Sequence, residues 1–267
     1  MESHGLSRTR NRIHESELPL APKNWKELLR HSHSDRFRAA AEREHSSLTE
    51  MRTWSSIQRD SIGQNAKILP VMWVFKYKTD EDGYFMSYKA RLCARGDLYR
   101  DREQETYAAT LATRVFRTLM STANHFDLEI QQLDAVNAFT NTHLDAGVTI
   151  YIEDPEEFPT PSSTVLLLHR ALYGLPQSPL LWYNELCTTM RQLGLKPVPE
   201  SACLFTSSTL IVFFFVDDIC ILHHRSNTDA YHQFRTQLFL KYKMRDIGEL
   251  KWFLGVRVVR DRIRRRI

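Results

Sequence analysis

The chain contains few cysteines, and none has the spacing of a metal or redox motif. Its four cysteines, Cys93, Cys187, Cys203 and Cys220, include no C-x-x-C pair. A reduced intracellular compartment therefore fits the sequence better than a disulfide framework does. His223 and His224 follow Cys220 closely, but no second ligand pair stands at zinc spacing, so no structural zinc site is predicted.

Long apolar runs and several common catalytic motifs are also missing. No stretch approaches 18 uninterrupted apolar residues, and the first twenty residues have no apolar segment of the secretory kind, so we expect no membrane partner. The motifs G-x-x-x-x-G-K-[ST] and G-x-S-x-G do not occur. Their absence leaves a P-loop nucleotidase or an α/β-hydrolase without support.

The positive net charge is concentrated at one end of the chain. The formal net charge is +4, yet the last eleven residues, RVVRDRIRRRI, hold six arginines and one aspartate. Without them the chain has 30 basic and 31 acidic residues. Basicity alone therefore says little about the body of the protein, where any nucleic-acid groove would have to be local.

Changes in composition divide the chain into four segments. Residues 1–24 are polar and are predicted to be disordered, and residues 25–53 read as a helical lead-in with Ser34 or Asp35 as an N-cap. Residues 54–259 mix strand and helix patterns, and residues 260–267 form an Arg-rich tail. Strands mixed with helices around hairpins predict an α+β architecture.

A basic hairpin is predicted in the segment ILPVMWVFKYKTDEDGYFMSYKARLCARG, with its turn at DEDG. Lys76 and Lys78 alternate on its first strand, and Lys89 and Arg91 alternate on its second. Residues two apart share a face of a strand, so each strand presents a basic pair to one side. A solvated face without a ligand remains the plain alternative.

Helices and short strands follow this hairpin. TRVFRTLMSTANHF predicts a helix whose apolar stripe is Val115, Leu119, Thr122 and Phe126. A second helix is predicted from Leu180 to Leu195, and a third at NTDAYHQFRTQLFLKYK. The segment GELKWFLGVRVV predicts another hairpin.

Two adjacent carboxylates interrupt the apolar segment LIVFFFVDDICIL. Asp217 and Asp218 are expected to form a two-residue turn between buried strands, with no Lys or Arg within five residues. Two like charges side by side repel, and a bound cation would offset that repulsion. Asp134, at the end of a predicted strand, would complete a carboxylate site for Mg²⁺. An acidic turn with no further role, and with Asp134 far away, is the alternative.

Eight segments in order resemble the reverse transcriptase of copia-type LTR retrotransposons, most nearly the fungal variety. They are WVFKYK, YKARLCARGD, TYAATLA, QLDAVNAFTN, YIEDPEEF, RALYGLPQSPLLWY, FFFVDDICIL and MRDIGELKWFLGVRV, and they run from about Trp54 to about Val259. The resemblance implies an RNA-directed DNA polymerase with the palm and fingers of the right-hand fold. It also implies a template-primer of RNA or DNA, dNTPs as substrates, and Mg²⁺ or Mn²⁺ as the metal. Pol or capsid chains are further expected partners, in a cytoplasmic particle or the nucleus.

The resemblance also assigns roles to individual residues. Asp134, Asp217 and Asp218 match the catalytic, metal-binding aspartates. Phe139 matches the aromatic residue beneath the incoming sugar, and Gln177 matches a residue near the incoming nucleotide. The remaining matches are Lys89 and Arg91, as ligands of the triphosphate, and Trp252, Phe253, Leu254 and Gly255, as the primer-gripping hairpin.

The chain departs from the family pattern at several places, two of them next to the predicted site residues. Thr140-Asn141-Thr142 replaces the usual residues after NAF, and Phe215 replaces the usual tyrosine before VDD. The rest of the thumb and the RNase H domain are expected to be missing beyond the primer-grip segment. The competing hypothesis is therefore a catalytically silent remnant that folds and at most binds nucleic acid.

Overall fold

The computed structural model describes residues 12–64, 66–99, 106–155, 157–158 and 163–267. The helices of this part are α1 Trp25–Leu29, α2 Ser34–Glu50, α3 Thr113–His125, α4 Ser178–Gln192 and α5 Thr228–Lys241. The strands are β1 Trp54–Gln58, β2 Ile68–Leu69, β3 Val71–Thr79, β4 Phe85–Ala94, β5 Glu129–Ala135, β6 Tyr151–Ile152, β7 Thr164–Leu168, β8 Lys196–Val198, β9 Ser201–Thr206, β10 Leu210–Phe215, β11 Asp218–His223, β12 Met244–Glu249, β13 Trp252–Phe253 and β14 Val256–Arg257. This mixture confirms the α+β prediction.

The chain divides into two compact units. Unit 1 comprises the residues up to Leu98 together with Ile150–Leu167, and unit 2 comprises Tyr99–Thr149 and Leu168–Ile267. None of the described helices has the length and apolar character needed to cross a bilayer.

Unit 1 is organised around the β3–β4 hairpin and α2. Phe37 of α2 is fully buried, and its ring centroid lies 5.0–5.6 Å from those of Phe75, Tyr77 and Tyr88 on the hairpin. These aromatic contacts bury one face of the hairpin against the helix. The described part of unit 1 also contains a sheet in the order β1-β7-β6-β2, in which β2 and β6 run parallel.

The basic residues of the β3–β4 hairpin all lie on its other face. Lys76 is directly opposite Lys89, and Lys78 and Arg91 follow on either side of that pair. The structure thus confirms the predicted hairpin and shows that its two basic pairs share one surface.

The N-terminal segment differs from the expected disorder in the part that can be described. Residues 1–11 lie outside the described residues. Beyond them, His14 and Tyr84 form an isolated antiparallel β-bridge. The backbone amide of Glu15 donates to the carbonyl of Gly83 over 2.8 Å. The prediction for residues 1–24 is therefore wrong for this stretch, because the turn of the hairpin offers backbone partners that a composition-based reading cannot see. Helix α2 begins at Ser34, but His33 is its N-cap residue.

The described part of unit 2 is built on an antiparallel six-stranded sheet in the order β12-β5-β11-β10-β9-β8. Consecutive residues of β10 show which element covers each face. The Phe213 ring lies 5.2 Å from Phe253 and 6.1 Å from Phe116, whereas the Phe214 ring lies 6.1 Å from Tyr183. Side chains alternate along a strand, so α3 and the β13–β14 hairpin cover one face and α4 covers the other.

The buried stripe of α3 is shifted from the predicted one. Phe126 is 60% exposed, and Val115 is only half-buried. The buried side chains of this helix are Phe116, Leu119, Met120 and Ala123. Phe116 and Met120 stand four residues apart, and this pair sets the face that meets the sheet.

The Arg-rich segment 260–267 is not a separate tail. The side chain of Arg260 is only 6% exposed, and its guanidinium donates to the carbonyl of Ala123 over 3.0 Å and to that of Leu128. Arg262 bridges Asp127 and Glu129, each over 2.6 Å. These contacts fasten the segment to the end of α3 and the start of β5.

Candidate active site

Two of the predicted aspartates face each other on neighbouring strands. Asp134 of β5 and Asp218 of β11 are directly paired in the antiparallel ladder, which places their Cα atoms about 4.5–5.5 Å apart. The amide of Ala135 donates to the carbonyl of Asp217 over 2.8 Å, so Asp217 lies at the same end of these strands. The alternative that required Asp134 far from the acidic turn is therefore wrong.

The turn of the β10–β11 hairpin is one residue earlier than predicted. Phe215 pairs with Asp218, so Val216 and Asp217 form the loop and Asp218 begins β11. Val216 has a φ of +54°, which is unusual for a β-branched residue. The start of the loop cannot be recognised from the sequence, because its first residue, Val216, is apolar like the strand before it.

A tryptophan fastens this turn to α4. The indole nitrogen Nε1 of Trp182 donates to the carbonyl of Val216 over 2.6 Å, and the Trp182 side chain is almost fully buried. This partly buried hydrogen bond restricts the positions that Asp217 and Asp218 can adopt.

Each of the two paired carboxylates has a polar partner. Arg245 of β12 donates from Nε to Oδ2 of Asp134 over 2.8 Å, and its Nη2 forms an ion pair of 2.7 Å with the same oxygen. Gln132 Nε2 donates to Oδ1 of Asp218 over 2.9 Å. Neither partner was predictable from local sequence, because each reaches its carboxylate across the sheet. For Arg245 the available signal was a basic residue in the strand-forming segment MRDIGEL.

The three carboxylates suit a hard divalent cation by their chemistry. In the part of the chain that the structure describes, however, no three acidic, His or Cys side chains are gathered as a metal-binding group. Arg245 already engages Asp134, so a cation at this carboxylate would have to displace or share that contact. The backbone brings the residues together, while the Asp134 side chain contacts an arginine and the Asp218 side chain contacts a glutamine.

The loop after β5 is held by the residues that depart from the family pattern. Asn137 has a φ of +51°, and the side-chain amide of Asn141 lies 3.2–3.3 Å from the carbonyls of Val136, Asn137 and Ala138. Thr140 is fully buried, and its hydroxyl donates to the carbonyl of Asn137 over 2.8 Å. These residues therefore stabilise the turn locally.

Phe139 and Gln177 occupy different environments within unit 2. Phe139 is half-buried against the core, with its ring 4.8 Å from that of Tyr173. Gln177 is 2% exposed, and neither its amide nitrogen nor its amide oxygen has a hydrogen-bond partner among the described residues. A buried primary amide without partners costs about 1–3 kcal/mol per unsatisfied group, which makes Gln177 an unusual residue at the start of α4.

The remaining predicted site residues lie on two hairpins. Trp252 and Phe253 form β13, and the loop to β14 consists of Leu254 and Gly255, with φ of +52° and +72°. Two positive φ values in a two-residue loop are typical of a type I′ turn, so the predicted hairpin is confirmed. Lys89 and Arg91 are half-buried on the basic face of the β3–β4 hairpin in unit 1.

Known proteins match most of the chain. Residues 52–267 match the family model described as reverse transcriptase (RNA-dependent DNA polymerase). The chain is 30% identical over 257 residues to the retrovirus-related Pol polyprotein from transposon TNT 1-94 of Nicotiana tabacum, an alignment that covers 92% of the chain and 19% of that protein.

Further relatives come from another plant and from yeast. The Pol polyprotein from transposon RE1 of Arabidopsis thaliana is 30% identical over 203 residues, covering 72% of the chain and 13% of that protein. The transposon Ty1-BL Gag-Pol polyprotein of Saccharomyces cerevisiae is 25% identical over 224 residues, covering 80% and 12%. The chain therefore spans less than a fifth of the length of these relatives.

Proposed function

Because this chain belongs to the reverse transcriptase family of copia-type retrotransposon Pol polyproteins, we propose that it is an RNA-directed DNA polymerase. In this proposal unit 2 is the palm and unit 1 is the fingers of a right-hand polymerase. The substrates are dNTPs and a primer annealed to an RNA or DNA template, and the product is the primer extended by one nucleotide per cycle.

The pairing of Asp134 with Asp218 is the observation that supports this proposal most directly. Two carboxylates on neighbouring strands, with Asp217 in the adjoining loop, form an oxygen-rich donor set. Asp134, Asp217 and Asp218 would hold Mg²⁺, or Mn²⁺ in its place. When bound, such ions activate the primer 3′-hydroxyl and stabilise the leaving pyrophosphate.

The protein's own residues would prepare this site for the substrate. Trp182 holds the turn that bears Asp217 through its hydrogen bond to Val216. Gln177 has amide groups available for a ligand, in keeping with the nucleotide contact that the resemblance assigns to it. Phe139 would lie beneath the sugar, and residues Trp252–Gly255 would hold the primer terminus. The proposed triphosphate ligands are Lys89 and Arg91.

Primer extension on an RNA template tests the proposed activity. The purified chain should add dNTPs to a labelled DNA primer in the presence of Mg²⁺ or Mn²⁺. Asp218→Asn, which keeps the shape and removes the charge, should lower the extension rate by at least about a hundredfold. Asp229→Asn, on an exposed residue of α5, is the matched control and should leave the rate unchanged. Equal rates for the two variants would exclude the carboxylate mechanism.

A silent remnant that binds nucleic acid without turnover is the second candidate. The observation in its favour is the arginine on Asp134 in place of a gathered carboxylate group. It predicts salt-dependent binding of a template-primer, with no extension by the wild-type chain at any divalent cation concentration.

A further inference from the structure

A strongly basic cavity lies in unit 2, outside the carboxylate site. It measures about 620 Å³, and its polar lining consists of Arg117, Ser121, Asn124, Arg257, Arg265 and Arg266. The arginines come from α3, from β14 and from the C-terminal segment, and none of the described residues that line the cavity has an acidic side chain. All four arginines are exposed, and none makes an ion pair with another described residue.

The C-terminal segment is built to present two of these arginines. Arg260 and Arg262 attach the segment to the end of α3 and the start of β5 through their hydrogen bonds and ion pairs. Asp261 and Arg266 exchange backbone hydrogen bonds of 2.9 and 3.0 Å, which close a small loop. Asn124 donates to the carbonyl of Arg265 over 2.7 Å and ties this loop to α3. Within this short segment, Arg260 and Arg262 therefore hold the backbone in place, whereas Arg265 and Arg266 line the cavity without an ion pair to a described residue.

The cavity lies on the side of the sheet that bears the paired aspartates. Phe213 and Phe215 are two residues apart on β10, so they share a face, and Asp218 pairs with Phe215. Asp134 pairs with Asp218 in turn. Phe116, which lines the cavity, packs on Phe213. The elements around the cavity therefore cover the same sheet face as the carboxylates, further along the strands.

The chemistry of this lining suits a chain of phosphates. Four unpaired guanidinium groups around one cavity repel each other, and a polyanion removes that repulsion while releasing counterions. Arginine binds phosphate through its planar fork, and the Ser121 hydroxyl and Asn124 amide are also common phosphate donors. A partly apolar wall, with Val256 37% and Val259 65% exposed, leaves room for sugars.

We propose that this cavity binds the phosphate backbone of a nucleic acid strand, independently of the carboxylate site. The binding should not depend on the nucleotide sequence, because the lining offers positive charge and hydrogen-bond donors that suit phosphate rather than the edges of bases. It goes beyond the proposed polymerase activity because it gives a role in nucleic-acid binding to Arg117, Arg265 and Arg266, to which the resemblance assigns none.

Salt-dependent binding of a fluorescein-labelled 20-base-pair DNA duplex, followed by anisotropy without divalent cations, tests the proposal. For duplex DNA the slope of log K against log salt changes by about 0.9 for each phosphate contact. The double variant R265Q/R266Q should lower this slope by about 1.8 and weaken binding at least roughly tenfold at 0.1 M salt. The variant R117Q/R257Q, which alters the two other walls, should have a similar effect.

Two controls separate this site from general charge and from catalysis. R36Q/R38Q removes the same charge from exposed positions of α2 in unit 1 and should leave the slope almost unchanged. Asp218→Asn should keep the wild-type binding slope even where it abolishes primer extension. Equal losses in R36Q/R38Q and R265Q/R266Q would overturn the proposal. So would arginine-dependent binding to phosphatidylserine vesicles with no binding to the duplex.

Discussion

Arg245 neutralises Asp134 through a hydrogen bond of 2.8 Å from Nε and an ion-pair contact of 2.7 Å from Nη2, both to the same carboxylate oxygen. Asp134 faces Asp218, so without this guanidinium two carboxylates would confront each other across the ladder. Arg245 thus provides the charge compensation that the proposed metal would also provide. A cation bound at Asp134 would compete with the arginine for this carboxylate.

Replacing Arg245 by Gln should therefore tighten divalent-cation binding. The local charge becomes more negative by one unit and Oδ2 of Asp134 is released, so the apparent Kd for Mn²⁺ should fall several-fold. In EDTA the variant should be less stable by about 1 kcal/mol, because the ion pair is half exposed and screened by solvent. Mn²⁺ titration by electron paramagnetic resonance measures the first effect, and thermal unfolding measures the second.

Arg235→Gln is the matched control for that experiment. Arg235 forms an ion pair of 2.8 Å with Asp246, which belongs to the same strand as Arg245. Its loss should change stability by a similar amount and leave cation affinity unaltered. Weaker Mn²⁺ binding by R245Q than by wild type would contradict the competition between guanidinium and cation.

Trp182→Phe should destabilise the protein by about 2–4 kcal/mol. The change removes the hydrogen bond to Val216 and opens a small cavity at a side chain that is almost fully buried. Trp252→Phe makes the same chemical change at an indole whose nitrogen has no partner among the described residues. Urea unfolding should show a loss about 1–2 kcal/mol greater for W182F than for W252F. Equal losses would mean that the bond to the turn contributes nothing.

Asn141→Ala should loosen the loop after β5. Three carbonyls lose contact with the Asn141 amide, and the free energy of unfolding should fall by about 1–2 kcal/mol. Asn227→Ala removes a single weak contact of 3.4 Å to the carbonyl of Thr209 and should cost less than about 0.5 kcal/mol. Wild-type stability in N141A would show that the loop is held by other contacts.

The thiols should be unreactive in the native protein at pH 8. Burial raises the pKa of Cys93 to about 11 and that of Cys203 to about 12, and it also raises the pKa values of Cys187 and Cys220. Little thiolate is then present to attack a disulfide reagent. The native protein should react slowly with Ellman's reagent, and the urea-unfolded chain should release four equivalents at once.

The same shifts set the direction of the stability change at alkaline pH. The unfolded chain loses its thiol protons at a pH near 8.5–9, below the raised native pKa values. The native state therefore holds more protons, and stability should fall as the pH rises above about 9. Rapid labelling of the native protein at pH 8 would contradict the burial of these thiols.

The elements that repeat a local pattern could be predicted from the sequence. The β3–β4 hairpin, α3, α4, α5 and both carboxylate-bearing strands follow from periodicity and turn residues. Asp134 could be paired with the acidic hairpin only as a hypothesis, since strand order is a non-local property. The ladder between β5 and β11 shows that Asp134 pairs with Asp218 of this hairpin.

The features that could not be predicted depend on contacts between segments that are distant in the sequence. Arg245 reaches Asp134 across 111 positions, and Arg260 reaches Ala123 across 137. The turn at Val216 was misplaced by one residue, because an apolar side chain there gives no loop signal. The stripe of α3 was misplaced because its residues are apolar on more than one side, and only the sheet selects among them.

Strand β5, which bears Asp134, is hydrogen-bonded on both sides, to β11 and to β12. Its amide protons can exchange with solvent only when one of these ladders opens, so they should be among the slowest to exchange in unit 2. The loops that follow β5 and β10 can vary in sequence without moving that strand. The position of Asp134 is thus set by a strand that is paired on both sides, so a substitution that displaces it must also break a ladder of the sheet.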